Sequence, residues 1–274
     1  MPLSKTPSVR RTIIIVELLG SIVFAFYLGI RFGRIYQFQN ELYELPRAEN
    51  ARASLKRLLH LQPSYGQFQQ DLWVALAIGH GKKNGYYVDV GSADGVMISN
   101  TNLLDQMGWK GVCIDPFPTN MRTRTCQVFQ QPVFSESGKK VQFRMAGVLG
   151  GIETALGKHK DEASTVPMKE FVTATLDEIL EKAKAPNWID YMNLDVEGAE
   201  YDVLRGFNMD RYSVGALTIE HNYEPEKREL IRKLMESKGY VRVRSWEVDD
   251  WYVHRDLATQ YRTFINYSTR ELMF

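Results

Sequence analysis

Residues 86–95 read Tyr86-Tyr87-Val88-Asp89-Val90-Gly91-Ser92-Ala93-Asp94-Gly95. Apolar, aromatic and β-branched side chains run into a turn bounded by two glycines, the pattern of a buried strand whose end lets a backbone approach a ligand closely. Ser99-Asn100-Thr101 follows, then Leu103, Leu104 and Met107, so the turn opens onto a helix start with free N–H donors. Gly111–Asp115 is the next strand, stopped by Pro116 and Pro118.

Downstream the alternation continues. Thr175-x-x-Glu178 has the spacing of a capping box and starts a helix through Ala185. Strands are predicted over Ile189–Asp195 and Val214–Glu220, separated by a helix around Tyr201–Arg205. Glu226–Lys238 reads as a helix with Leu230, Ile231, Leu234 and Met235 on one face, closed by Gly239. Strands Tyr240–Arg244 and Trp251–His254 flank an acidic turn, Glu247–Asp250. Strand–helix alternation of this kind predicts a mainly parallel α/β sheet with helices on both faces.

Ligands of such sheets sit outside the carboxyl ends of the strands. The residues to watch are therefore Asp89 and Gly91, Asp115, Asp195 and Glu197, and Glu220 with His221. A carboxylate at Asp115 suits the two hydroxyls of a ribose. The turn spacing Gly91-x-x-x-Gly95 departs from G-x-G-x-x-G, which disfavours a nicotinamide dinucleotide.

The composition narrows the class. The 274 residues are 44% hydrophobic and 24% charged, enough to bury a sizeable core. A formal charge of +1 offers no global basic field, so no nucleic-acid partner is expected. Two cysteines exclude a disulfide scaffold and a Cys-rich zinc module. Cys113 and Cys126 read most simply as buried apolar-like residues, a disulfide being open to them only in a lumenal domain. His60, His80 and His254 read as structural, and Trp73 and Trp109 as core packing.

Residues 12–30 read TIIIVELLGSIVFAFYLGI, broken only by Glu17 and flanked by Lys5, Arg10 and Arg11 before and Arg31 and Arg34 after. That length matches the hydrocarbon thickness of a bilayer, so a single-pass membrane anchor is expected, against the plainer reading of a buried helix. Orientation stays open, because Arg31, Arg34 and Arg47 balance the leading cations. The chain is expected to divide into a tail and anchor (1–34), a stalk and first helix (35–64) and the α/β domain (65–274). The glycine-rich stretch 146–166 is long for a connection and is expected to be a lid, with Gly150-Gly151 as hinge and Lys158 and His159 facing the cleft.

Several separated blocks together resemble the FkbM family of S-adenosylmethionine-dependent methyltransferases. They are Val88–Gly95, Ser99-Asn100-Thr101, Gly108–Pro116, Val166-Pro167, Thr175-Leu176-Asp177, Ile189–Glu200 and Val203–Phe207. The resemblance implies a class I, Rossmann-like fold with a seven-stranded mixed sheet and an antiparallel last strand. It also implies methyl transfer to a hydroxyl of a glycan, lipid-linked or secondary-metabolite acceptor. Asp89, Gly91, Ser92, Asp94, Gly95 and Asn100 would line the donor's amino-acid and sulfonium end, Asp115 its ribose, and the segment carrying Phe134 and Ser135 its adenine. Ala93 stands where the family often has Asn, and Asp115 where it often has Glu.

The chemistry adds its own demand. An alcohol proton is hard to remove at neutral pH, so a general base or a divalent cation is expected beside the acceptor. Asp195, Glu220 and His221 resemble the Mg²⁺ site of metal-dependent O-methyltransferases; without metal, His221 or Glu197 would be the base. The plainer readings are that Asp195 caps the following helix and that His221 is a satisfied polar residue. A catalytically silent domain serving as an interaction or trafficking module is the alternative function, and oligomeric state is not readable.

Overall fold

The computed structural model describes residues 64–78, 82–157 and 164–258. The apolar stretch 12–30, all but the last residue of the stalk, Lys158, His159, His60 and His80 lie outside the described residues. Among those described, no helix is long and apolar enough to cross a membrane.

The described residues form nine strands: β1 (Tyr86–Val90), β2 (Lys110–Ile114), β3 (Gln127–Phe129), β4 (Lys140–Arg144), β5 (Met168–Val172), β6 (Trp188–Leu194), β7 (Ser213–Glu220), β8 (Tyr240–Trp246) and β9 (Asp249–His254). The helices are α1 (Gln70–Trp73, running into a π-helical turn Val74–Ile78), α2 (Asn102–Gln106), α3 (Leu176–Lys182), α4 (Glu200–Arg205) and α5 (Pro225–Ser237). Seven strands form one sheet in the order β3-β2-β1-β6-β7-β9-β8. From β3 through β7 neighbours pair parallel, whereas β9 is antiparallel to both β7 and β8. This is the mixed α/β sheet with an antiparallel last strand that the sequence suggests.

Alternation decides which face each strand residue serves. Val88 and Val90, Met192 and Leu194, and Leu217 and Ile219 face one side, where Leu176, Ile179, Val203, Leu204, Ile231 and Met235 from α3, α4 and α5 complete a buried core. Opposite lie Tyr87 and the Trp73–Trp251 pair, ring centroids 4.7 Å apart, with α1 and α2. Helices therefore cover both faces. Trp73 and Trp109 are fully packed, and His254 sits edge-on between Trp188 and Tyr240. Thr175 caps α3 by accepting from Glu178 N.

The structure corrects several expectations. Leu230 is exposed although Ile231 and Met235 of the same helix are buried, because the α5 stripe is narrower than four apolar residues suggest. Asp249 and Asp250 belong to β9 and are buried, so the acidic turn shrinks to two residues. Cys113 and Cys126 are joined in a disulfide, with Cα atoms 5.8 Å apart. β4 and β5 form a separate antiparallel pair, not anticipated because its residues are mostly exposed and the alternation of Val141 and Phe143 in β4 is short and has no counterpart in β5. The connection between them is tied down where a hinge is expected: Arg144 N donates to Gly151 O (2.9 Å), and Arg144 and Glu153 form a bidentate ion pair.

Candidate active site

Two polar rows cross the carboxyl end of the sheet on one face. In the first, Asp89 of β1 is in register with Asn193 of β6, and Asn193 with Thr218 of β7. Two residues further on, where side chains return to the same face, stand Gly91, Asp195 and Glu220. Asp249 of β9 is in register with Glu220. Asn193 is the hub of the first row. Its Nδ2 donates to Asp89 Oδ1 (3.0 Å), while its Oδ1 accepts from Asn100 Nδ2 and Thr218 Oγ1, each at 2.9 Å. Asp89 also accepts from Thr101 Oγ1 at 2.5 Å. Burial raises the Asp89 pKa despite these donors.

The glycine turn wraps over this row. Gly91 has φ +87°, and a Cβ built there would lie 1.6 Å from the Asp195 carbonyl oxygen, so only glycine fits. Ser92 and Asn100 are buried, yet Ser92 Oγ and Asn100 Oδ1 have no hydrogen-bond partner among the described residues. Asp94 accepts from the backbone N–H groups of Val96 and Met97 and from Thr119 and Asn120; partial burial works against them, but together they lower its pKa. Asp115 stands at the end of β2, accepting from Ala93 N (3.0 Å) and Phe117 N (2.6 Å), with its pKa raised by burial. Each of its oxygens keeps a second lone pair for a ribose hydroxyl.

Beyond the turn lies a concentrated acidic cluster. Ligand atoms of Asp195, Glu197 and Glu220 fall within 4.8 Å of one another. Glu197 reaches in because the chain leaves β6 through left-handed conformations, φ +57° at Glu197 and +115° at Gly198. Asn222 Nδ2 clamps two of the three, donating to Glu220 Oε2 (2.7 Å) and Glu197 Oε2 (3.3 Å). Burial, then repulsion from neighbouring carboxylates, Glu197 and Asp249 for Asp195 and Asp195 and Glu197 for Glu220, pushes both well above the ordinary carboxylate range, and the two hydrogen-bond. Asp249, bonded to Gln70 Nε2 (2.7 Å), is pushed by burial to about 7. Glu200 is raised by burial too, although its carboxylate accepts from Val196 N and Gly198 N at the start of α4.

A family model described as the methyltransferase FkbM domain matches residues 89–242, more than half of the chain. The chain belongs to the FkbM methyltransferase family. No curated protein matches it. The match spans this FkbM domain from Asp89 on β1 to Arg242 on β8, and so takes in both the glycine turn and the acidic cluster.

Most of the residues singled out in the sequence converge on this FkbM site, but His221 does not. His221 lies just past the end of β7 and turns away from the side that Glu220 shares with Asp195: Glu220 is in register with Asp249, whereas His221 lies beside Asp250. Its Nδ1 accepts from Tyr223 N (3.1 Å) and its Nε2 lies 3.8 Å from Asp250 Oδ1. Burial lowers its pKa, with Asp250 opposing. The expected trio Asp195, Glu220 and His221 is thus not assembled; Glu197 takes the third place. Phe134 donates from its backbone N–H to Ala174 O, and the Ser135 backbone packs against Gly206. Sequence reading passed over Asn193, which strand alternation from Asp195 would have placed in the site. It also passed over Arg124, which no local pattern marks.

Proposed function

We propose that this protein is an S-adenosylmethionine-dependent O-methyltransferase anchored to a membrane through residues 12–30, acting on a hydroxyl of a glycan, lipid-linked or secondary-metabolite acceptor. One observation carries the reading: a glycine-only turn with two unpartnered buried polar atoms, Ser92 Oγ and Asn100 Oδ1, abuts three converging carboxylates. The first half suits a polar, zwitterionic methyl donor; the second suits deprotonation of an acceptor.

In this reading Ser92 and Asn100 take the donor's amino-acid end and Asp115 its ribose hydroxyls. A methyl sulfonium is already an activated electrophile, so the turn's task is to hold it in line with the acceptor oxygen. The Asp195–Glu220 pair supplies the base. Burial and the neighbouring carboxylates raise the proton affinity of both groups above that of an ordinary carboxylate, the direction that a general base for an alcohol needs. Glu197 and Asn222 fix the pair's orientation. Three oxygen ligands also suit a hard divalent cation, and Mg²⁺ held by Asp195, Glu197 and Glu220 would lower the acceptor alcohol's pKa. The segment 151–157 supports acceptor coverage: a Cβ on Gly198 would meet Ala155 O at 2.5 Å, and Lys227 Nζ donates to Ala155 O (3.1 Å).

Calorimetric titration of S-adenosylhomocysteine into the detergent-solubilised full chain tests the reading, beside Asp115→Ala. Micromolar binding weakened at least tenfold in the variant is expected from the loss of charged hydrogen bonds, at about 1.5–3 kcal/mol. Well-folded protein that binds no donor analogue, with or without Mg²⁺, would favour the silent interaction module. Alkaline extraction of membranes tests the anchor: release of the full chain into the supernatant would overturn it.

A further inference from the structure

Residues 113–126 form a loop closed by the Cys113–Cys126 disulfide, which joins β2 to the residue before β3. The chain between the two cysteines lies along the glycine turn and bonds it repeatedly. Asp115 accepts from Ala93 N; Thr119 N donates to Ala93 O (2.8 Å), and Thr119 O accepts from Gly95 N (2.9 Å). Thr119 and Asn120 side chains both donate to Asp94.

Arg124 finishes the wall. Its Nη1 donates to Gly95 O (2.9 Å) and Ser99 Oγ (3.2 Å), its Nη2 to Thr101 Oγ1 (2.7 Å) and Tyr87 OH (3.0 Å), and its Nε to Asp105 Oδ2 (2.7 Å). Thr101 passes the constraint to Asp89 through its own hydrogen bond. Yet between Asp115 and Cys126 the only buried residue is Arg124. Phe117 packs against Phe171 and Phe143, ring centroids 5.0 and 6.0 Å away, and apart from this aromatic contact the wall is held mainly by polar ones. A segment held by polar contacts and two covalently joined ends depends on that joint to stay in place.

We propose that the Cys113–Cys126 disulfide is a redox latch on the methyl-donor site, with Arg124 the positioning residue through which it acts. Closed, it holds Arg124 against residues 95–101 and pre-organises the turn; opened, it releases the wall and donor affinity falls. Cys126 is half-buried and Cys113 fully buried, so the Cys126 sulfur is the one an attacking thiolate reaches. A dithiol reductant supplies two electrons and two protons: the Cys113–Cys126 bond breaks, two cysteine thiols form, and the reductant closes its own disulfide. The latch is therefore shut in compartments where disulfides persist and opens in a reducing one. The proposal rests on the donor-binding reading of the turn.

The test uses the full chain in detergent, oxidised, reduced with dithiothreitol and reoxidised, together with Arg124→Lys and Cys113→Ala/Cys126→Ala. Two readouts are followed: S-adenosylhomocysteine affinity and amide hydrogen exchange over residues 93–101 against strands β6 and β7. Reduction is expected to weaken binding about tenfold, as for loss of charged hydrogen bonds, and to speed exchange at 93–101 alone. Reoxidation restores both, and the paired alanine variant behaves as permanently reduced. Arg124→Lys, with the disulfide intact, shows the same local loosening, since an ammonium cannot reproduce the guanidinium fork. Unchanged exchange at 93–101 in both the reduced protein and Arg124→Lys overturns the latch, whether or not the analogue binds. Should reduction open the whole sheet, Arg124→Lys alone decides, by the same criterion. Oxidised wild-type protein that fails to bind the analogue sinks the donor reading and leaves the exchange result to judge the latch.

Discussion

Gly91 and Asp195 meet where strands β1 and β6 end: a Cβ on Gly91 would lie 1.6 Å from the Asp195 carbonyl oxygen, and Asp195 N donates to Val90 O at 3.0 Å. This contact joins the turn proposed to hold the methyl donor to the first residue of the acidic cluster. Neither can shift without the other, so the turn and the cluster keep one geometry.

Gly91→Ala should therefore be among the most damaging single-methyl changes in the domain. It adds a clash with backbone and forces alanine to φ +87°. A loss on the order of 3 kcal/mol of stability is expected, from left-handed strain and overpacking together. Urea unfolding followed by tryptophan fluorescence measures it. A midpoint equal to wild type would mean that the two strand ends are not in contact.

Asn193→Ala probes the row beneath. The side chain serves Asp89, Asn100 and Thr218 at once, all buried, and alanine offers none of them a partner. Thr218 retains Tyr191 OH, and Asp89 retains Thr101. With Asn100 Nδ2 the most exposed to loss, the change should cost about 2–4 kcal/mol. Asn193→Asp should be worse, since it sets a second buried carboxylate beside Asp89. The same urea titration ranks them, and equal midpoints for the two variants would contradict the Asp89 contact.

Much of this was legible because it is local. The run Val88–Gly95 announces a strand and a glycine turn by residue type, and Ile189–Glu200 does the same for β6 and its acidic end. What escaped the sequence depends on distance or on facing. Arg124 has no periodic neighbours; its burial follows from a loop folding back over residues 95–101. The β4–β5 pair escaped because only Phe143 of its ten residues is buried: Val141 and Phe143 do alternate with polar neighbours, but over five residues only, and β5 does not repeat the pattern. The disulfide pairs cysteines 13 residues apart, which spacing alone cannot distinguish from two buried thiols. His221 lies off the acidic face for a reason that the sequence did contain: it directly follows the strand-end residue Glu220, and consecutive residues of extended chain face opposite ways.

The disulfide should also contribute to global stability. Closing a loop of this length removes chain entropy from the unfolded state worth about 3 kcal/mol. Thermal unfolding with and without dithiothreitol should show a lower midpoint for the reduced protein. A Cys113→Ala/Cys126→Ala variant should lose that sensitivity while melting near the reduced wild type. Equal midpoints for oxidised and reduced wild type would show that the loop is already constrained when unfolded.

Asp249 should give the apoprotein an unusual pH dependence. Its carboxyl titrates at about 7 in the folded chain, because burial opposes the charge, against an ordinary value near 4 when unfolded. Between those values the folded state binds the extra proton, so this group's stabilisation is complete below about pH 4 and is lost as pH rises to 7. The slope is about −1.4 kcal/mol per pH unit at full weight. Asp249→Asn keeps a partner for Gln70 and removes the titration. Stability of the variant minus that of wild type should grow from pH 5 to pH 7 and level off above. A difference that is flat with pH would place Asp249 in contact with water.

Glu220→Gln separates stability from function at the acidic cluster. Glu220 is raised well above its ordinary range by burial and by Asp195 and Glu197, so its charge opposes folding at neutral pH. Glutamine keeps the shape, can accept from Asn222 Nδ2 and can donate to Asp195, while removing one of three crowded carboxyl groups. Replacing a buried, repelled carboxylate with a neutral isostere should stabilise the metal-free protein by about 1–2 kcal/mol, within the range for relieving buried charge. The same loss of charge should weaken any divalent cation held by Asp195, Glu197 and Glu220. Thermal unfolding with and without millimolar Mg²⁺ tests both halves at once. Wild type should start lower and rise with Mg²⁺; Glu220→Gln should start higher and stay there. A variant that melts below wild type without metal would mean that Glu220 is held by charge pairing instead of repelled. A wild type indifferent to Mg²⁺ would leave proton removal to the Asp195–Glu220 pair itself.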